Sequence, residues 1–562
     1  MLGSQAVRTA GWLAGLAAAL WMTGGGSAGV ATSAAPASSP STGSPSSTGS
    51  PSSSASPSPS RAGSWTVYHG DPAGRGVSTV LGTVATPAPA WASPALDGQI
   101  YGEPLVSAGR IYVATENDTV YALSPATGQV AWSRHLAAPV PASSLPCGDI
   151  APTAGITGTP VIDPARREIF VVADEEVRGR PAHVLAGLST ATGRVEMTRD
   201  VDPPGADTSA LLQRTGLNLA RGRVVFGFGG NYGDCATYRG RVVSVPETGG
   251  TPAMFTVDGK PGESQGAVWM GGAAPAVDSA GHVWVSAGNG SVYRASRGYD
   301  DSDSVLELSP SMRLLQYFAP ASWASDNSRD LDLSAGPALL PGGQVLIAGK
   351  SAIAYLLDGA HLGGIGGQLA SAQPVCGADI DGGTAVTGRT VYLPCAGGIV
   401  AVRVTASPPG VRLRWNSRTG GGTPIVAGGL VWTISQAGWL YGLDPRTGRV
   451  RQRAPLNGPS GTDANHFPTP GAGAGLLLAP AGNRVYAFRA GGSGSTPAST
   501  GSASTGSAST GPSVHATVHQ GTPSVAPPGG MSGGAVAGIV AATLVVLAGL
   551  GWLVWRRGPN RR

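Results

Sequence analysis

Five residues in the middle of this 562-residue chain carry side chains able to do chemistry together: the carboxylates Asp234 and Asp330, the amide Asn289, the amine Lys350 and the indole Trp269. A carboxylate and an amine can hold or move a proton, and an indole offers a flat surface with an electron-rich face. Lys350 stands out as one of two lysines against 35 arginines, so a bias toward Arg did not extend to this position. Each residue also has a purely structural reading. Asn289 lies between two glycines, which reads as a turn needing φ > 0. Asp330 and Asp332 read as a solvated pair before a strand, Lys350 as an ion-paired lysine, and Trp269 as core packing. The eight histidines show no metal-type spacing.

What separates these readings is whether the fold gathers the five residues. From Ser64 to Arg489 the chain shows short runs of β-branched and aromatic residues with period two, broken by Gly, Pro, Asn or Asp, and no stretch of helical periodicity. The pattern is all-β. Glu103-Pro-Leu-Val-Ser, Arg110-Ile-Tyr-Val-Ala-Thr, Thr119-Val-Tyr-Ala-Leu-Ser and Gln129-Val-Ala-Trp132 make four strands in about thirty residues, the size of a propeller blade. The unit recurs from Gly158, Thr215, Val268, Leu333, Ala378 and Thr423, and partially from Pro468 through Phe488. The last copy lacks its fourth strand. A segment near Pro89-Ala-Trp91 could supply it and close an eight-bladed ring with no open sheet edge, seven blades being the alternative count. In such a meander the start of the first strand and the end of the second share one face. Asp234, Asn289 and Lys350 follow second strands, and Trp269 and Asp330 precede first strands. All five are therefore expected around one funnel.

The turns between third and fourth strands carry a resemblance. Tyr121-Ala-Leu-Ser-Pro-Ala-Thr-Gly-Gln-Val-Ala-Trp132 resembles the tryptophan-docking repeat of pyrroloquinoline-quinone (PQQ) type propellers, with degraded copies at 187–197 and 442–449. Thr-Gly supplies the tight turn, and the Trp ring is expected to wedge against the neighbouring blade. The resemblance implies an eight-bladed PQQ-like β-propeller. It does not imply one activity, because this family includes PQQ-dependent alcohol and sugar dehydrogenases and the cofactor-free propeller of the outer-membrane assembly machinery.

The resemblance extends to site residues. Trp284-Val-Ser-Ala-Gly-Asn-Gly290 looks like the segment whose Asn ligates calcium, which is Asn289 here. Ser328-Arg-Asp-Leu-Asp-Leu333 resembles the stretch with the catalytic Asp, mapping to Asp330 with Asp332 as fallback. Ala348-Gly-Lys350 is similar to the segment whose Lys or Arg contacts the quinone, and Trp269 is placed like the floor under the cofactor. In that family calcium polarises the quinone, the Asp takes a hydroxyl proton and a hydride passes to the cofactor. Departures weigh against an intact enzyme: where the family keeps a calcium-ligating Glu, only Asp234 could substitute, no adjacent cysteine pair exists, and no haem segment is present.

The four cysteines fit two bridges. Cys376 and Cys395 lie at hairpin ends that an antiparallel pair brings together, and Cys147 and Cys235 both lie on the funnel face, so 147 with 235 and 376 with 395 is the expected pairing.

The ends give a compartment. Residues 1–31 have a charged start, an apolar run and small residues, the layout of a signal peptide. Residues 32–62 and 491–534 are Ser-, Thr-, Pro-, Gly- and Ala-rich tethers expected to be disordered, the second spanning roughly 35 Å as a coil. Residues 535–555 read as a membrane-spanning helix, and 556–562 as an Arg-rich cytoplasmic tail, leaving 63–490 outside the cell membrane. Net charge is 37 − 32 = +5 with the excess near the ends, so no concentrated basic footprint for nucleic acid exists. The expected function is a membrane-anchored envelope module that binds a protein, glycan or small ligand. The alternative is a PQQ- and calcium-dependent dehydrogenase of an alcohol or sugar.

Overall fold

The computed structural model describes residues 63–84, 89–456 and 465–490. The expected leader, both tethers, the apolar span 535–555 and the tail lie outside these residues. Among the described residues no helix is long and apolar enough to cross a membrane.

Eight four-stranded antiparallel meanders follow one another, here blades 1 to 8: 105–135, 161–200, 211–256, 276–319, 338–372, 385–416, 425–455 and 471–489. Blade 8 contributes three consecutive strands and takes its fourth from Trp91–Ala92, with Trp91 opposite Ala487 and Ala92 opposite Tyr486. The chain ends are thus pinned inside one sheet, and the ring has no free edge there. In blade 1 the inner strands Leu105–Ser107 and Arg110–Thr115 are buried almost throughout, whereas the outer strand Val130–His135 is largely exposed. Inner strands are covered on both faces by neighbouring blades, so they read as continuous apolar runs.

The tryptophan turns work as expected. Trp91, Trp132 and Trp415 each reach across to the turn of the next blade, where the indole Nε1 donates to Pro125 O at 2.9 Å, Thr190 O at 3.1 Å and Pro445 O at 3.1 Å. The turn glycines 128, 193 and 448 sit at φ near +70°, and a Cβ on any of them would collide with the docked indole. The Thr-Gly pair is therefore required by both the turn and the ring it receives.

One feature carried no mark in the sequence pattern. Residues 63–78 wind around the inside of the ring. They hydrogen-bond to Val106, Ile162, Val277, Val386, Val426 and Ala474 of blades 1, 2, 4, 6, 7 and 8. Inside the channel Trp65 Nε1 and His69 N donate to the buried carboxylate of Glu103 at 2.9 and 2.7 Å, and Gly383 N donates to Tyr68 Oη. This segment occupies the inner strand edges of those blades.

Candidate functional site on the funnel face

The polar cluster is built by blades 4 and 5. Strand Val283–Ala287 ends in Gly288-Asn289-Gly290, and the five-residue helix Trp323–Asn327 leads into the stretch carrying Asp330 and Asp332. Asn289 N donates to Asp332 Oδ1 at 2.6 Å, and Asn289 Nδ2 donates to Asp330 Oδ1 at 2.7 Å. Lys350, just after strand Gln344–Ile347, places Nζ 2.7 Å from Asp330 Oδ1 and 2.7 Å from Asp332 Oδ2. The two glycines around Asn289 are not there for a left-handed turn, as neither they nor Asn289 has positive φ. They are there for space: a Cβ on Gly288 would meet the Asp332 carboxylate, and one on Gly290 would meet Asp300. The turn reading of Asn289 is thereby corrected.

The carboxylates differ in setting. The Asp330 side chain is 76% exposed and takes the strained φ of +56°, while that of Asp332 is 9% exposed and makes the backbone bond to Asn289. Burial pulls the Lys350 ammonium down, but Asp332 and Asp330 outweigh it and its pKa ends above the ordinary lysine value. Lys350 is therefore a fixed cation.

Trp269 lies beside it, with Nζ of Lys350 5.8 Å from the indole centroid. The Phe467 ring stands 5.7 Å from Trp269, tilted by 56°. Arg214 follows, its guanidinium 5.5 Å from Phe467 and 5.6 Å from Tyr101, with Nη2 donating to His466 O at 3.1 Å. A row of cations and aromatic rings thus crosses the funnel from blade 5 toward blade 1, each cation–π contact contributing about 0.5–2 kcal/mol. Beside Phe467 lies a cavity of about 140 Å³ edged by Asp379 and Asp381. Burial pushes the Asp381 carboxyl up to about 6.

Of the five residues singled out, Asn289, Asp330, Lys350 and Trp269 are brought together. Asp234 is exposed and makes no hydrogen bond to the other four, but it lies within their field: burial raises its carboxyl, Asp332 and Asp330 add to the shift, and Tyr238 and Lys350 oppose it. Sequence reasoning left Asp332 as a fallback and passed over Phe467, Arg214 and Tyr101. Phe467 precedes the first strand of blade 8, the position that had picked out Trp269 and Asp330, whereas Arg214 lies between the short strands Leu211–Leu212 and Asn218–Leu219 of blade 3.

Both expected disulfides form. Cys147–Cys235 ties the approach to blade 2 to blade 3, and Cys376–Cys395 closes the entry of blade 6, with Cα separations of 6.0 and 6.5 Å. One group was not foreseen: Asp278, His282 and Glu307 of blade 4 lie close enough to share an ion, although His282 Nδ1 bonds Glu307 at 2.6 Å and Trp284 Nε1 bonds Asp278 at 3.1 Å.

Eight blades, three turns of which receive a docked tryptophan, and a charged funnel define an eight-bladed β-propeller. Residues 65–304 match the family model described as outer membrane protein assembly factor BamB, PQQ_2. No curated protein matches the sequence. Among solved structures, the quinohemoprotein alcohol dehydrogenase from Comamonas testosteroni is similar at 17% identity and a TM-score of 0.55, over 77% of this chain and 81% of that one. A quinohemoprotein alcohol dehydrogenase from Pseudomonas putida HK5 gives 15% and 0.53 over 77% and 81%. A europium-containing methanol dehydrogenase gives 15% and 0.54 over 75% and 91%. At such identities the likeness is one of fold.

Proposed function

We propose that this chain is a non-catalytic binding module of the cell envelope, whose funnel face receives a protein, glycan or small ligand. The observation that carries the reading is the position of Lys350. Its ammonium lies 2.7 Å from a carboxylate oxygen of both Asp330 and Asp332. A calcium ion needs six to eight oxygen ligands, and here a built-in cation stands between the two carboxylates nearest Asn289. The Asp234 carboxylate, which would replace the family's Glu, makes no hydrogen bond to Asn289, Asp330 or Lys350. The residues present therefore fit a calcium and quinone site poorly. The row of rings and cations from Trp269 to Tyr101 offers flat apolar faces flanked by charge, which suits recognition. Anchoring to the membrane is part of the same proposal and rests on the uncharged run 535–555 with four arginines behind it.

One observation favours the alternative, a quinoprotein dehydrogenase: Asn289 Oδ1 is buried without a hydrogen-bond partner. Calorimetric titration of PQQ into the full-length protein, with and without calcium, separates the two. The binding reading expects no heat at cofactor concentrations well above micromolar and no dye reduction with alcohols or sugars. Calcium-dependent binding of one equivalent, with dye reduction abolished by Asp330→Ala, would replace it with the enzyme reading.

A further inference from the structure

On the other side of the funnel, blades 1 and 2 hold a second group of acids that no motif marked. Glu116 and Asp118 occupy the turn between strands Arg110–Thr115 and Thr119–Leu123, and Asp174 lies on strand Glu168–Val177. All three are buried, Asp118 at 0% exposure. Glu116 Oε2 accepts from Gly155 N at 2.7 Å and Thr157 Oγ1 at 3.1 Å, but Oε1 has no partner. Asp118 has no partner on either oxygen, and Asp174 has none on Oδ1. Unpaired carboxylate oxygens removed from water are costly, and a native fold retains them only with a counter-charge or a proton.

The surroundings are shaped for an ion. A Cβ on Gly155 would stand 2.9 Å from Asp118 Oδ1 and 2.8 Å from the Glu116 carbonyl, and the backbone there is not left-handed. Glycine is thus needed for the approach of the carboxylates, not for the turn. Glu116 also lines an open cleft of about 580 Å³ shared with Asp97, Tyr101, Thr153 and His466, which gives the group a route to solvent. The cations nearby bond other groups, although Arg214 still offsets part of the Glu116 charge at a distance. His183 Nδ1 bonds Asp202 at 2.6 Å with Nε2 3.5 Å from Asp174, and Arg214 is held by His466 O and two rings. Both oxygens of Asp118 and Oε1 of Glu116 remain without a hydrogen-bond donor.

We infer that the pocket formed by Glu116, Asp118 and Asp174 is a binding site for a hard divalent cation of the calcium type. The donors are oxygens only, which selects calcium over zinc or copper. Ligand atoms of the three groups do not all come within 4.8 Å of one another, so an ion here would reach part of the set through retained water. The inference does not rest on the reading of the Lys350 cluster, which lies in blades 4 and 5.

The test is calorimetric titration of calcium chloride into full-length, chelator-treated protein. One equivalent is expected to bind, Asp118→Asn is expected to weaken it at least tenfold, and Asp330→Asn to leave it unchanged. Glu116→Gln is a second variant with the same expectation, should Asp118→Asn fail to fold. No calcium heat in the wild type, undiminished binding in both variants, or binding lost in Asp330→Asn would each overturn the assignment.

Discussion

Blades 4–5 and blades 1–2 both place acids on the funnel face beside the turn between second and third strands, yet they settle the charge in opposite ways. In the first, Asp332 and Asp330 share one lysine and one asparagine, and every carboxylate oxygen named above has a donor within 2.7 Å. In the second, Asp118 and parts of Glu116 and Asp174 have no donor at all. Acids on this face can therefore be made self-sufficient by one long cationic side chain, or left dependent on something from outside. A built-in cation fixes the local structure and removes a site for an ion, whereas its absence stores a demand that a ligand can meet.

The largest expected effect comes from taking the built-in cation away. Lys350→Met keeps much of the side-chain volume but leaves Asp332, 9% exposed, without its partner. Breaking such a pair from one side costs about 3 kcal/mol, and Asp332→Asn is expected to cost a similar amount because it also loses the charge facing Asn289 N. Chemical denaturation measures both. Calcium should recover part of the Lys350→Met loss, since blades 4–5 would then resemble blades 1–2. A cost below about 0.5 kcal/mol would mean the pair is a solvated surface contact, and the contrast between the regions would collapse.

A medium effect follows from pH. Burial pushes Glu116 up to about 8 and Asp118 to about 10, and Asp174 rises to about 6 for the same reason, with neighbouring acids adding to the shift on Asp118 and Glu116. Acids with raised folded pKa values favour the fold while protonated. That contribution is complete below about pH 4 and is lost as pH climbs through 6, 8 and 10. Calcium-free protein should therefore be less stable at pH 8 than at pH 5. Calcium should reverse the loss at pH 8, and Glu116→Gln should flatten the slope. Lys350 stays protonated across that range and adds no slope. Asp97, Glu175, His183 and Arg214 face the group, so the variant, rather than the wild-type curve alone, isolates Glu116. Thermal melts at the two pH values, with chelator or calcium, provide the measurement.

How much of this was legible depended on distance along the chain. The ring, its eight blades and the docking turns were readable because Thr-Gly turns and Trp132 act over one blade, and the closing strand near Trp91 followed from a missing fourth strand. The pairing of Cys147 with Cys235 was readable because strand order assigns faces. The channel segment was not: Trp65 to Gly76 forms no ladder of its own and is stabilised by the inner edges of six blades at once. Nor was the acid pocket, since Glu116-Asn-Asp118 looks like any polar hairpin turn until Gly155 of the following connection closes over it. Lys350 was readable as unusual, but its partner Asp332 was ranked below Asp330, because sequence shows two alternating acids and not which one the backbone turns inward.

The smallest effect tests that ranking directly. Asp330 accepts from Asn289 Nδ2 and Lys350 Nζ, but its side chain is 76% exposed, so water screens both contacts and replaces them when they are lost. Asp330→Asn also keeps an oxygen to accept one of the two bonds. The expected change in unfolding free energy is within about 0.5 kcal/mol, against the several-fold larger cost of Asp332→Asn. The two positions lie two residues apart and lose the same charge, and they differ in burial and in the backbone bond that only Asp332 accepts from Asn289 N. A large loss in Asp330→Asn would show that its left-handed φ of +56° is held by the carboxylate itself. Blades 4–5 would then owe their order to an exposed acid, and the rule that a buried, cation-paired carboxylate organises this face would fail.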